Sequence, residues 1–239
     1  MKGYPDIIAA IATGAGDAAI GVVRLSGVGS HSLALSMCRD LAATPLERRV
    51  NLTWLEHPSS GEILDQAMVV LYPDGASYTG EEAVEFFCHG GRIVLDRVLD
   101  ACFDAGARAA GPGDFTRRAV ACGRLDLAQA EAVAMLSGAP TNEAVEIALS
   151  ALKGASSRAV MELRESMMDI LSGIEAYLDF TEDDGVELDA TDTISALEEA
   201  ILEMDAWIEK ERAARPALTG VRVVLVGPPN AQPVQRDCR

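Results

Sequence analysis

The stretch from Ser77 to Gly91, SYTGEEAVEFFCHGG, dictates a local order of turn, strand, break and helix. Tyr78-Thr79-Gly80 reads as a turn, because Gly80 has access to backbone angles closed to other residues. Ala83 to His89 is rich in residues that suit a pleated surface. Gly90-Gly91 stops that run, and Ile93, Val94, Leu95, Val98 and Leu99 then recur at helical spacing.

Glu85 falls inside the strand run, between Val84 and Phe86. A carboxylate there needs partners, because burying an unpaired charge is costly. Two readings follow. One is a strand-edge Glu pointing at solvent. The other is a carboxylate that accepts two parallel N–H donors from a flat heterocycle, which suits a pterin ring. Spacing alone leaves both open.

The 239 residues suffice for one large domain or two modest ones, and the 49% hydrophobic content supplies a core. No run approaches the roughly 18–20 apolar residues of a membrane span. The N-terminus has no basic stretch followed by an apolar block. A soluble, cytoplasmic protein without membrane contact is expected. Cys38, Cys88, Cys102, Cys122 and Cys238 form no C-x-x-C pair and have the apolar neighbours of reduced buried thiols. His31, His57 and His89 lie far apart without metal-ligand spacing, so no metal site is expected. The formal charge of −17 argues against a nucleic-acid clamp formed by this chain alone. The acid is concentrated: from Arg158 to Arg212, seventeen Asp or Glu face four Arg or Lys.

Along the chain, strands are expected at Asp6–Thr13, Ala19–Gly27, Arg49–His57 and Gln66–Tyr72, with helices at Ser30–Asp40 and Arg92–Ala105. Gly14-x-Gly16 has half the look of a phosphate loop, but it leads into a strand rather than a helix and reads as a hairpin turn. Arg24 interrupts an apolar strand and points either to solvent or into a cleft, where it would want an anionic partner. Gly111-Pro112-Gly113 breaks the chain, and Asp114 is expected to cap the next helix. Asp126 is expected to cap a helix through Leu136. From Thr141 the pattern is helical. Val160, Leu163, Met167, Ile170, Ile174, Tyr177 and Leu178 form one stripe, closed after Phe180 to Gly185, and Ile194, Leu197, Ile201, Met204 and Ile208 form a second. Two such helices are expected to pack antiparallel.

Gly220 to Ala231 reads as a buried strand running into the opening of a P-loop, with Gly227 and Asn230 as its remnants. Where that loop needs Gly, Lys and Ser or Thr, the chain has Gln232, Pro233 and Val234. No lysine reaches phosphate and no hydroxyl holds magnesium, so this stretch is not expected to bind nucleotide.

Together these segments resemble the MnmE (TrmE) family of tRNA modification GTPases. The resemblance rests on Asp6–Thr13, Ile20-Gly-Val-Val-Arg-Leu-Ser-Gly27, Tyr78–Gly91, Gly111-Pro-Gly-Asp-Phe-Thr-Arg-Arg-Ala119, Gly123-Arg-Leu-Asp-Leu-Ala-Gln-Ala-Glu-Ala132, Ile174–Phe180 and Val221–Ala231, in that order. It implies an α+β fold: a folate-binding domain like the glycine-cleavage T-protein over 1–118, which also makes a homodimer, and a helical domain over 119–215. Residues 216–239 would be the start of a G domain. By resemblance, Arg24, Glu85 and Arg124 contact reduced folate, as 5-formyl- or 5,10-methylene-tetrahydrofolate, and no catalytic residue is assigned. The family modifies the wobble uridine of tRNA with the flavoprotein MnmG, and its G domain uses GTP, magnesium and potassium. The chain is expected to be a folate-binding dimer without GTPase activity, with self-associating apolar stripes in its helical part. A scaffold that recruits the flavoprotein, or a folate-dependent one-carbon transferase, are the alternatives.

Overall fold

The computed structural model describes residues 4–16, 18–41, 47–179, 190–219 and 226. Among them the elements run β1 (Ile8–Ile11), β2 (Ile20–Ser26), α1 (Ser30–Ser36), β3 (Asn51–Glu56), β4 (Ile63–Tyr72), β5 (Ala83–His89), α2 (Arg92–Asp104) and β6 (Arg108–Ala109). The helices α3 (Asp114–Ala121), α4 (Leu127–Ser137), α5 (Asn142–Leu152), α6 (Ala155–Asp179) and α7 (Ala190–Thr219) follow. The chain is thus an α+β region followed by a helical one, and it divides into two compact units at Val133–Ala134.

The strands form one sheet in the order β3-β4-β5-β2-β1-β6, antiparallel except where β6 runs parallel to β1. Alternation along each strand sorts the side chains onto two faces. Val23, Phe86 and Val69 align across three strands on one face, as do Leu25, Val84 and Leu71 beside them. All six are buried in a single cluster with Leu33 and Ala34 from α1, Met37 just after it, and Leu95, Val98, Ala101 and Cys102 from α2. The α2 residues recur at helical spacing, so one stripe of the helix meets the sheet. Gly21 makes the approach possible, since a Cβ there would collide with the Leu95 side chain.

Several local expectations change, and the helix expected over Ser30–Asp40 ends at Ser36. The strand at Gln66 begins earlier, at Ile63, and the two-residue β6 extends the sheet beyond β1. Asp114 is not the N-cap of α3. Gly113 holds that place in the left-handed region at φ 79°, and Asp114 is the first helical residue. Its Oδ2 instead accepts from Gly111 N–H at 2.9 Å and from Arg108 Nη1 at 2.9 Å. Asp126 does cap α4: its Oδ1 accepts from Gln129 N–H at 2.8 Å, while Gln129 Oε1 accepts from Asp126 N–H at 3.0 Å. The Gly14–Gly16 segment lies in the connection between antiparallel β1 and β2, as the hairpin reading requires.

In the second unit α5, α6 and α7 pack on one another. Both long helices are present, and Val160, Met167, Tyr177, Leu178, Ile194, Ile201, Met204 and Ile208 of their stripes are exposed. The expected helix closure at Phe180–Gly185 and the strand at Gly220–Ala231 lie outside the described residues, except Val226, which is not in a strand.

Candidate functional site

The face of the sheet turned away from α1 and α2 carries Arg24 on β2 directly opposite Glu85 on β5, with Val70 of β4 beside them. Neither charge points freely to solvent. Arg24 donates from Nε to Glu85 Oε1 at 2.8 Å, and its Nη2 lies 2.7 Å from the same oxygen as an ion-pair contact. Glu85 Oε2 accepts from the Tyr72 hydroxyl at 3.0 Å. Burial raises the pKa of Tyr72, and the adjacent carboxylate raises it further, so the phenol remains a donor. The Arg24 guanidinium carbon lies 5.7 Å from the ring centroids of both Tyr78 and Phe115, within cation–π reach. Arg24, Tyr72, Tyr78 and Glu85, with Ser26 and Thr79, are among the residues that line a cavity of about 140 Å³. Sites for drug-sized ligands span roughly 300–1,000 Å³. This one has room for a flat ring, with the rest of a larger ligand outside.

Behind the cavity is a second, fully buried polar layer. Arg118 of α3 is 0% exposed and Glu81 2% exposed. Arg118 Nη1 donates to Glu81 Oε2 at 3.0 Å and to the Asp6 carbonyl at 2.8 Å, and Nη2 donates to Asp6 Oδ1 at 2.9 Å. Its guanidinium stacks on Tyr4 at 4.8 Å. Glu81 also accepts from Ser26 Oγ at 2.9 Å and from Tyr4 N–H at 3.0 Å. Because the Ser26 hydrogen is committed to Glu81, Thr79 supplies the one in the 2.7 Å contact between the two hydroxyls. Ser77 Oγ donates to the Glu81 carbonyl at 2.6 Å and accepts from Gly80 N–H at 3.0 Å. These bonds fix the turn that carries Tyr78, whose hydroxyl pairs with Thr116 Oγ1 of α3 at 3.0 Å.

Arg24 and Glu85 are therefore brought together inside the cavity. Arg124 is exposed and does not line it. It packs on the same turn: a Cβ at Gly80, where φ is +83°, would sit 2.8 Å from Arg124 Cγ and 2.9 Å from Cys122 Cβ. Gly227 and Asn230 lie outside the described residues. Sequence reading did not single out Tyr72, Phe115, Glu81 or Arg118. Two signals were present. Tyr72 shares a strand face with Val70, the residue registered against Glu85, and Phe115 and Arg118 are three apart on one helix, hence neighbours on its surface.

A larger cleft of about 300 Å³ runs along β1 and α2, lined by Ile11, Leu95, Leu99 and Phe103 among others. Its charged residues, Arg92 and Asp96, bond to each other at 2.7 Å, and Thr13 also lines it.

Comparison with known proteins agrees with the motifs. The family profile described as "GTP-binding protein TrmE N-terminus" matches residues 7–124, and that of the "MnmE helical domain" matches residues 127–237. The tRNA modification GTPase MnmE from one strain of Thermus thermophilus is 43% identical over 232 residues, covering 97% of this chain and 53% of its own length. The protein of that name from an Azoarcus species is 40% identical over 226 residues, 95% of this chain and 49% of its own. That from Akkermansia muciniphila is 39% identical over 225 residues, 93% and 50%. The chain spans about half the length of the curated relatives it matches. With two adjoining profiles and similarity of this order along nearly all its residues, the chain belongs to the MnmE (TrmE) family of tRNA modification GTPases, and spans its N-terminal portion.

Proposed function

We propose that the cavity at Arg24 and Glu85 seats the pterin ring of a reduced folate, 5-formyl- or 5,10-methylene-tetrahydrofolate, for use in modifying the wobble uridine of tRNA. The observation that carries this is the half-buried Glu85 carboxylate, set on a central strand and facing a cavity sized for one flat ring. The donor set fits the group. Glu85 accepts N–H donors from the ring edge, Arg24 answers a carbonyl oxygen, and Tyr78 and Ala83 give apolar wall. Arg124, exposed above the Gly80 turn, meets the negative glutamate tail outside the cavity. When bound, the folate supplies the one-carbon unit. The chain's residues bind and orient it.

The open sheet face continues from this cavity as an apolar surface, Val22, Phe87, Met68 and Leu52 in one row and Ile20 and Trp54 beyond. A second copy of the chain covers it in the homodimer. The wider activity, a cytoplasmic tRNA modification with the flavoprotein MnmG and with GTP and potassium at a G domain, belongs to the same proposal. It assigns no GTP hydrolysis to Gln232-Pro233-Val234, which offer phosphate neither lysine nor hydroxyl.

Calorimetric titration with 5-formyl-tetrahydrofolate tests the reading. Binding is expected, and Glu85→Ala is expected to abolish it while leaving the circular dichroism spectrum unchanged. Undiminished binding by the folded Glu85→Ala protein would remove the site.

A further inference from the structure

We infer that Tyr72 is a specificity-determining residue of the cavity. With Arg24 and Glu85 it forms a row of one donor and three acceptors that reads a 2-amino-4-oxopyrimidine edge, and its oxygen takes the second amino hydrogen. That such an edge comes from a pterin rests on the folate reading above. The row itself rests on the sheet.

Three adjacent strands, β4, β5 and β2, carry Tyr72, Glu85 and Arg24 in that order. The bonds follow the strands. Arg24 donates from Nε to Glu85 Oε1 at 2.8 Å, with Nη2 in ion-pair contact at 2.7 Å, and Tyr72 donates to Oε2 at 3.0 Å. Each carboxylate oxygen has about two acceptor positions, so one stays open on each. The phenol has given its hydrogen to Glu85, and its own oxygen is left to accept. A guanidinium cannot accept at all. From β2 to β4 the wall therefore reads donor, acceptor, acceptor, acceptor.

The hydroxyls deeper in the wall add no competing donor. Ser26 gives its hydrogen to Glu81 Oε2 at 2.9 Å, and Ser77 gives its own to the Glu81 carbonyl at 2.6 Å. Thr79 Oγ1, 2.7 Å from Ser26 Oγ and 3.1 Å from Ser77 Oγ, spends its hydrogen within the same group. A 2-amino-4-oxopyrimidine edge is the complement of the row: a carbonyl oxygen, a ring N–H, then the two hydrogens of the amino group. The carbonyl meets Arg24, the ring N–H and the first amino hydrogen meet the two Glu85 oxygens as a parallel pair, and the second amino hydrogen meets Tyr72. A 2,4-dioxo edge sets an oxygen against Glu85 Oε2 and Tyr72, acceptor against acceptor, and leaves both without a donor. Pterins and guanine bases share the accepted edge.

The test is an NMR titration of the full chain, unmodified and Tyr72→Phe, with 6-methylpterin and its 2-methylamino counterpart. Methylation removes one amino hydrogen and keeps the pair of N–H groups that meets Glu85. It is expected to weaken binding to the unmodified protein about fivefold, the worth of one hydrogen bond, and to change nothing in Tyr72→Phe. That variant is expected to bind 6-methylpterin about tenfold less tightly, since it loses the ligand bond and the bond that pins Oε2. If Tyr72 only supported Glu85, Tyr72→Phe would weaken both ligands by the same factor, and that result would overturn the inference. The methylation penalty in the unmodified protein needs no variant, and its absence there overturns the inference whether or not Tyr72→Phe folds. Binding of 6-methyl-lumazine as tight as that of 6-methylpterin would do the same, as would failure of both 6-methylpterin and guanosine to bind at millimolar concentration. Binding of 5-formyl-tetrahydrofolate without the coupling between methylation and Tyr72 sinks the row and leaves the folate reading standing. The coupling found with guanosine and N2-methylguanosine, and no binding of pterins, keeps the row and sinks the folate reading.

Discussion

The two faces of one sheet have opposite fates, though the same strands supply both. Phe86 and Phe87 are neighbours in β5, yet Phe86 is fully buried beneath α1 and α2 while Phe87 stands in the open row with Val22, Met68 and Leu52. The covered face contains apolar side chains and thiols, and burial pushes the Cys38 and Cys88 pKa values up to about 12, so those thiols behave as small hydrophobes. The other face carries the salt bridge of Arg24 and Glu85, with the Glu81–Arg118 pair behind it. The difference teaches where stability and binding are divided: apolar packing on one face sustains a polar, half-open arrangement on the other.

The sharpest way to break this contrast is to truncate one residue from each face. Phe86→Ala is expected to destabilise the fold by about 3–5 kcal/mol, because deleting a buried ring leaves a cavity that neighbours fill only in part. Leu52, 65% exposed on the edge strand, should cost no more than about 0.5 kcal/mol when changed to Ala. Urea unfolding monitored by circular dichroism measures both. Similar losses would mean that the open face is as much a part of the core as the covered one. Leu52→Asp sharpens the same point, because it is expected to lower the dimer fraction in sedimentation without unfolding the chain.

A second contrast lies between the two glutamates of the polar side. Glu81→Ala leaves Arg118 buried with only the Asp6 carboxylate as counter-charge, and removal of one partner from a buried pair costs about 3–5 kcal/mol. The retained Asp6 contact at 2.9 Å puts the expectation near the lower end, about 3 kcal/mol. Glu85→Ala breaks a pair whose arginine remains 30% exposed, and solvent screening holds the stability loss to about 1 kcal/mol or less. Urea midpoints are expected to fall much further for Glu81→Ala, while ligand binding is lost in Glu85→Ala. A larger loss of stability for Glu85→Ala would reverse the roles assigned to the two layers.

How much of this was legible in the sequence depends on the range of the interactions. Strand alternation and helix periodicity are local, so β2, β5, α2 and the long helices of the second unit could be read from residues near one another. β6 could not, because two residues carry no periodicity and its pairing with β1 joins positions about a hundred apart. Asp114 had the composition of a cap and the position of a first-turn acid, and only the left-handed Gly113 decides between them. At the site, Arg24 and Glu85 stood out as charges in apolar runs. Their direct opposition is a matter of register between distant strands, which no single strand encodes. Glu81 and Arg118 stayed hidden because each looks like an ordinary surface charge until the fold seals both.

The smallest expected effect concerns the rim where β1, β6 and α3 meet. Arg108 bonds Asp6 Oδ2 at 2.6 Å and Asp114 Oδ2 at 2.9 Å, holding three segments together. For Asp6, burial pushes the pKa up, but the Arg108 hydrogen bond and the Arg118 charge outweigh it and hold the carboxyl below its ordinary 3.8. For Asp114, the Arg108 hydrogen bond and the Gly111 N–H lower it from the same value. With both folded-state values depressed, the unfolded chain binds more protons as pH drops toward 3.8, and stability rises with pH across that window. The contribution is fully present above the ordinary value and is lost as pH falls through the folded-state values. Arg108→Gln should therefore flatten the fall of stability between about pH 4 and pH 2, as read from urea midpoints along a pH series. An unchanged acid slope would show that the rim contacts do not report on folding, leaving Arg118 as the sole basic anchor of Asp6.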